Sequence, residues 1–309
     1  MDRAMDDTIL KPDEEKSYIR AKPWHRAVFI GILSLLSLTI LLPLMYVVSI
    51  SLSSDMTIAK HGYRLIPTEF SLQAYRYLLS APGQILRAYW VSFAATASGT
   101  ALGLFLTTTL AYVMTRRDYA LARFTSFFVF FTMLFTGGVV PTYMVMKSVL
   151  NLGNSFFALF IPYSLSAWFT LLMKGFMQSV PFDIIESGKI DGAGEMRIFV
   201  QLVLPLVKPA IATIGLFYMF LYWNDWWLAM LYMNTEAYVP IQYLLYRMLN
   251  NLDFILRNLS SSLSVDLSSL PGEAVRMAVA LLAAGPMLLV FPFFQRYFVK
   301  GITVGSIKG

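Results

Sequence analysis

Long apolar runs separated by polar breaks organise this chain. A helix that crosses a bilayer needs about 20 mostly apolar residues, and six stretches fit that template: roughly 27–52, 88–114, 124–147, 156–175, 206–232 and 274–298. The fourth is the weakest, because Pro162 interrupts it. A proline inside a span kinks it, and neighbours within the protein re-satisfy the freed backbone groups. The breaks between runs are unequal. A polar segment, 1–26, precedes the first run, and 53–86 and 233–272 are long connections on one side of the membrane. Segment 176–205 is the long connection on the other side, and 299–309 follows the last run. Segment 53–86 holds helical fragments such as 72–79, and 233–272 ends in a serine-rich stretch, Ser260 to Ser264. Connections of this length generally carry function or are disordered.

The loop 176–205 has a helix–turn–helix pattern of its own. Pro181 suits a first helical turn, where its missing N–H would be unpaired anyway. Asp191-Gly192 breaks that helix, and Asp191 is placed to cap a second short helix with Glu195 in its first turn. Leu204-Pro205 closes the unit, and Pro209 restarts the chain as the next span. Such an element either docks in a cleft and transmits a push, or lies as an amphipathic segment on the lipid surface.

Composition agrees with spans in lipid. The chain of 309 residues is 57% hydrophobic and only 14% charged, far from the usual balance of soluble domains. The net charge is +6, but the bases sit between apolar runs, so they read as topology signals rather than as a nucleic-acid surface. Counting Lys and Arg alone, the side that carries 1–26 and 176–205 holds 16 and the opposite side 8. The positive-inside rule therefore places both termini in the cytoplasm. No short apolar region with a cleavage site follows the first residues, which reads as a retained tail rather than a signal peptide.

Chemistry is sparse. There is no cysteine, which excludes disulfides, thiolate metal sites and a cysteine nucleophile. No phosphate-binding loop of the G-x-x-x-x-G-K-[ST] type occurs. His25 and His61, the two histidines, fall on opposite sides of the membrane, so no metal set or catalytic triad can be built on them. A secondary transporter would call for paired intramembrane charges or inverted repeats, and neither is visible.

Several intramembrane positions are candidates for a translocation path. Thr132, Thr136 and Gly137, with Gly138, interrupt the third span, a feature tolerated where backbone lines a cavity. Tyr143, Tyr218, Tyr222 and Trp223 offer flat faces to sugar rings, and Asn224 a polar edge. Asp225 follows them among Trp223, Trp226 and Trp227, which reads as an interfacial belt with gate-side packing, or as a substrate contact. Ala95, Gly99 and Gly103 place small residues on one face of the second span, for packing within the subunit or against a partner. The outside segments carry charges of about +1 (53–86) and −1 (233–272) by residue count, so charge alone does not name the substrate.

Glu186-Ser187-Gly188, three residues, Gly192, nine residues and Leu202-Val203-Leu204-Pro205 resemble the EAA coupling motif of ABC importer permeases. The usual form is Glu-Ala-Ala, three residues, Gly, nine residues, Ile-x-Leu-Pro. Ser187-Gly188 departs from Ala-Ala and Leu202 from Ile. An interior glycine costs about 1 kcal/mol in a helix, so a looser helix is expected at Gly188. Phe135 to Tyr143, Tyr222 to Trp227 and Gln295 to Gly309 are similar to the polysaccharide branch of the carbohydrate permeases, whose substrates include alginate and aldouronate.

The resemblance implies an all-α type I importer permease of about six transmembrane helices in a bacterial inner membrane. It implies a second permease subunit, two ATPase subunits that bind ATP and Mg, and an extracytoplasmic solute-binding protein. This chain itself would hold no cofactor. Glu186, Ser187, Gly188, Asp191, Gly192, Ala193, Leu204 and Pro205 would then couple to the ATPase. Lys300, Gly301, Gly305 and Lys308 would form a tail reaching the ATPase pair, or a frayed end. The expected function is ATP-driven import of oligo- or polysaccharide, including acidic polymers such as alginate.

Overall fold

A computed structural model describes residues 23–80, 82–259 and 272–305. Among these residues every regular element is helical, and the sole extended pairing is an isolated bridge between Ser53 and Phe70. The serine-rich stretch at 260–264 and Lys308 lie outside the described residues.

Helix α1 (Pro23–Ser51) is apolar on every side, and none of its membrane-crossing window is buried within the subunit. A helix that is hydrophobic all round belongs in lipid or against another protein. Two short helices follow, α2 (Asp55–His61) and α3 (Gln73–Leu78). Helix α4 (Pro82–Thr115) then runs for 34 residues, about 51 Å at 1.5 Å per residue. It begins six residues before the expected 88, because the polar start at Gln84 and Arg87 is also helical.

The third and fourth expected spans are broken. Helix α5 (Ala122–Leu134) stops at Phe135, and α6 (Val139–Met144), prolonged by a π-helical turn at Val145–Val149, leaves at 109° to it. Gly138 at φ +82° makes the corner, a backbone region that glycine enters freely. Two 3-10 turns, Phe156–Leu159 and Ile161–Tyr163, meet α7 (Ala167–Gln178) at 53°, so the proline expected to interrupt this run sits in the second turn.

The loop segment folds as α8 (Phe182–Ile190) and then α9 (Glu195–Arg197), which continues through a π-helical stretch, Ile198–Val203, into α10 (Leu204–Leu206). Pro205 is thus inside this helix, and the break falls two residues on, at Val207. There the chain turns by 83° into α11 (Lys208–Trp223), with Pro209 in its first turn as expected. The fifth run, expected to continue to 232, ends at Trp223. After Asn224–Trp226 come α12 (Trp227–Tyr232), α13 (Ile241–Leu259) and α14 (Glu273–Gly305). Among the described residues, three helices are long and apolar enough to cross a membrane, or up to six if each bent pair is one span.

Helices α4 and α11 form the central pair, with α7 and α14 packed on them. Gly99 and Gly103 face Tyr222 and Tyr218 so closely that a Cβ would lie 2.6 and 2.8 Å from the rings. The small-residue stripe therefore serves packing within the subunit. The connections 53–86 and 233–272 also meet each other at their described ends. The Asp55 carboxylate accepts from Gly272 N at 3.2 Å and Ala274 N at 3.0 Å, placing a negative group where the start of α14 favours one.

Candidate functional site

Helix α8 is closed by glycine chemistry. Asp191 is its C-cap residue and does not cap the following helix, contrary to the sequence expectation; Gly194 occupies that position. Gly192 adopts φ +73°. Its N–H donates to Lys189 O at 3.0 Å and that of Ala193 to Gly188 O at 2.9 Å. These two bonds make a Schellman motif, which satisfies carbonyls at the helix end and needs the left-handed conformation at Gly192. The fixed glycine of the pattern thus has a direct backbone cause.

Gly188 is a contact point, not a loose one. It is buried, and a Cβ there would lie 2.8 Å from Leu202 Cδ1 and 3.2 Å from Ile198 Cγ1. The missing side chain lets α8 lie directly on the π-helical stretch. The glycine gives the helix a close contact here, where slack was expected.

A charged cluster fixes both ends of the loop to the end of α4. The Arg117 guanidinium sits over the Phe182 ring, 4.5 Å from its centre. Lys189 Nζ donates to Asp118 Oδ2 at 2.6 Å and lies 3.4 Å from Glu195. Arg116 Nη2 donates to Glu195 Oε1 at 2.8 Å and to Asp118 Oδ2 at 3.1 Å, and Tyr112 Oη donates to the other Glu195 oxygen at 2.8 Å. The Arg116 side chain is 5% exposed, while its carboxylate partners are about half exposed. The Lys189 hydrogen bond, aided by Arg116, holds the Asp118 carboxyl down at about 2. The same bond raises Lys189.

What the loop leaves exposed is its far face. Glu186, Ser187, Asp191 and Gly192 are exposed, Ala193 and Leu204 are half-buried and Pro205 is exposed. Two large apolar side chains stand out beside them, Ile190 at 81% and Met196 at 72% exposed. Ile190 at the end of α8 and Met196 in α9 thus stand beside the exposed carboxylates of Glu186, Asp191 and Glu195.

From this loop a single buried cluster runs inward through Ile198, Phe199, Val203, Ile214 and Tyr218 to Tyr222. Tyr218 shares a hydrogen bond with Thr107 at 2.8 Å and accepts from Ser166 N at 3.2 Å, and Tyr222 Oη donates to Phe160 O at 3.0 Å. Trp223 Nε1 donates to Ala283 O at 2.8 Å. These three aromatic side chains, expected as sugar-facing surfaces, are buried and partnered within the subunit. They tie α4, α11, α14 and the 3-10 turns together.

The other path candidates are placed differently. Thr132 is at the exposed end of α5, its hydroxyl donating to Val129 O, and Thr136 and Gly137 are exposed in the break. Tyr143 is half-buried and stacked on Tyr232, with ring centres 5.7 Å apart. Asn224 is exposed and donates back to Phe220 O, and Asp225 accepts from Leu228 N at 3.1 Å, anchoring the start of α12. Trp226 stacks on Tyr246 at 4.3 Å, so it packs against α13. Lys300, Gly301 and Gly305 are helical, because α14 continues past the expected end at 298.

Sequence reasoning missed the Arg116, Asp118 and Tyr112 partners of the loop. The signal was present as a doublet of arginines closing the second run, but nothing in one chain says which loop it meets.

The model of the family of binding-protein-dependent transport system inner membrane components matches residues 99–304, a range that includes the whole loop, and the chain belongs to that family. It is the membrane permease component of an ABC import system, a class completed by a partner permease, an ATPase and a solute-binding protein. The chain is 40% identical over 285 residues to the polygalacturonan/rhamnogalacturonan transport system permease protein YtcP of Bacillus subtilis (strain 168), covering 90% of this chain and 96% of that one. It is 37% identical over 271 residues to Protein LplC of the same organism, covering 87% and 90%. Among solved structures, a bacterial ABC transporter involved in the import of the acidic polysaccharide alginate matches with a TM-score of 0.76 at 26% identity, over 91% of this chain and 99% of that one.

Proposed function

We propose that this permease moves fragments of an acidic, uronate-bearing polysaccharide across the inner membrane. It does so as one half of a heterodimeric pathway driven by two ATPase subunits that bind ATP and Mg. The substrate class rests on two relatives, one named for polygalacturonan and rhamnogalacturonan and the other for alginate. All three names denote polymers that contain uronic acids.

The coupling reading rests on one observation: α8 is rigidly capped, braced by charge at both ends, and bare on its far face. In this reading both termini and the loop 176–205 are cytoplasmic, and the exposed face from Glu186 to Gly192 sits in an ATPase cleft. ATP binding closes the ATPase pair and displaces α8. The displacement passes through Gly188 to the π-helical stretch and through Arg116 to α4. Both routes converge where Tyr218 and Tyr222 press on Gly103 and Gly99. The path itself opens at the breaks, past Thr132, Thr136, Gly137, Tyr143 and Asn224. A solute-binding protein delivers substrate to 53–86 and 233–272, which are already joined through Asp55. The energy comes from the different affinity of ATP for the two states of the complex.

The test is uptake into proteoliposomes by the importer purified with its partner subunits and binding protein, using labelled oligogalacturonate. The expected result is ATP-dependent accumulation that Gly192→Pro abolishes. Accumulation on an ion gradient without ATP contradicts the coupling reading. Failure to take up oligogalacturonate while a neutral oligosaccharide enters contradicts the substrate class.

A further inference from the structure

Lys147 is the sole Asp, Glu, Lys, Arg or His between Arg123 and Lys174, a stretch otherwise made of apolar and neutral side chains. It stands in the π-helical turn Val145–Val149 at the far end of the bent pair that contains the Phe135–Gly138 corner. Such π-helical turns are frequent at functional sites. The turn is anchored beneath it: Met146 is buried, and Leu150 N donates to Val145 O at 2.9 Å.

The ammonium is exposed but not free to wander. Its stem passes beside Gly153, where a Cβ would lie 3.6 Å from Lys147 Cγ. Its Nζ turns back and donates to Tyr143 Oη at 2.7 Å. Tyr143 is itself held by its stack on the buried Tyr232. The chain around Tyr232 is pinned in turn, since Asn154 N donates to Tyr232 O at 2.9 Å and Asn234 N donates to Asn154 Oδ1 at 2.6 Å. A lysine that merely reaches for lipid phosphates extends its stem away from the protein; this one is folded back onto a fixed phenol. No carboxylate pairs with it among the described residues. An ammonium has three donors, so two remain for a ligand.

We propose that Lys147 is a specificity-determining residue that binds the carboxylate of a uronic acid unit at the end of the subunit opposite the coupling loop, with Tyr143 as the residue that positions it. This rests on the acidic-substrate reading above and adds the residue that reads the acid. A carboxylate accepts charge-assisted hydrogen bonds from the ammonium, stronger than any a neutral sugar hydroxyl offers. The contact therefore discriminates acid from neutral units without gripping either tightly.

The experiment uses the complete importer in proteoliposomes and compares oligogalacturonate with its methyl ester, which has the same ring and no charge. Wild type, Lys147→Gln, Lys147→Arg and Tyr143→Phe are measured, with the yield of assembled complex as the control for folding. Lys147→Gln is expected to raise the half-saturating concentration for the acid about tenfold or more and to leave that for the ester unchanged. Lys147→Arg is expected to keep most of the preference for the acid, and Tyr143→Phe to lose part of it. If Lys147→Gln behaves as wild type toward the acid, the side chain serves the lipid headgroups and the inference fails. If it loses acid and ester equally, Lys147 is a structural or partner contact and the inference also fails. If wild type itself takes no acid, the substrate reading has failed first.

Discussion

The two ends of α4 are built from different materials. At its C-terminal end, charges hold the loop 176–205: Arg116, Asp118, Lys189 and Glu195 form one cluster around a nearly buried guanidinium. At the other end there is no such cluster around a buried guanidinium among the described residues: the broken segments are held by rings and isolated bonds, Tyr143 on Tyr232, Trp226 on Tyr246, Asn154 to Asn234, and charged groups that act one at a time, Asp225 on Leu228 N and Arg247 with Glu236 at 2.6 Å. An ion-pair cluster is directional and fixes an element in one pose, which the proposed coupling role requires. Stacked rings and single hydrogen bonds allow sliding with little loss, which on the proposed mechanism suits the end where the path opens. The difference teaches where rigidity is needed.

The strongest way to break the contrast is at the cap of α8. Gly192→Pro removes an N–H that donates to Lys189 and imposes φ near −65° where +73° is required. The expected local cost is about 3 kcal/mol or more, with loss of substrate-stimulated ATP hydrolysis while the outer end stays intact to proteolysis. Next comes the meeting point between the two ends. Gly103→Leu drives a side chain into the Tyr218 ring, which Thr107 and Ser166 hold in place. A loss of about 1–3 kcal/mol follows from overpacking, readable as a lower melting temperature in detergent. A smaller effect is expected at Glu195→Gln, which leaves Arg116 with Asp118 as its remaining charged partner. Roughly 1–2 kcal/mol is expected, together with faster cleavage of the loop by protease and a weaker coupling ratio.

The smallest effect sharpens the comparison through pH. Asp118 is depressed from 3.8 to about 2, so its contribution is fully present above the unfolded value and is lost as pH falls through the folded one. Hydrogen exchange of the α8 amides is therefore expected to show no loss of protection from this group between pH 7 and pH 5. Asp118→Asn should show the loosened loop already at neutral pH. The group is half exposed and screened by solvent, so the change is about 1 kcal/mol or less. Loosening of the wild-type loop on going from pH 7 to pH 5, absent from Asp118→Asn, would show that Asp118 titrates in that range.

The end at the loop 176–205 was largely legible in the sequence. Glu186, Gly192 and Pro205 lie at fixed spacing, and Pro181 and Gly192 mark the bounds of α8 by local backbone rules that need no tertiary knowledge. Asp191 was misassigned because an Asp after a helix serves equally as a cap for the next one, and the Schellman bonds at Gly192 decided the matter. Gly188 was read from propensity, whereas its role comes from Leu202 and Ile198, which lie near it only after folding. The opposite end was less legible. Hydropathy cannot see a bend: the run at 206–232 reads as continuous although Asn224 to Trp226 break it, and the interruption legible at Thr132 to Gly138 carries no sign of the 109° turn it makes. Aromatic positions carry no sign of facing in or out; Tyr218 and Tyr222 are buried because Gly103 and Gly99 on another helix make room for them.

The most direct test of the central claim, that the far face of α8 sits in the ATPase, exploits the absence of cysteine from the chain. Ser187→Cys and Ile190→Cys place single thiols on that face, and Ser148→Cys places one at the opposite end. With single cysteines introduced around the cleft of the ATPase subunit, oxidation of the assembled importer is expected to cross-link the first two and not the third, with a yield that changes on adding ATP. Cross-linking from Ser148→Cys alone, or none from α8 in a complex that still transports, would contradict the account.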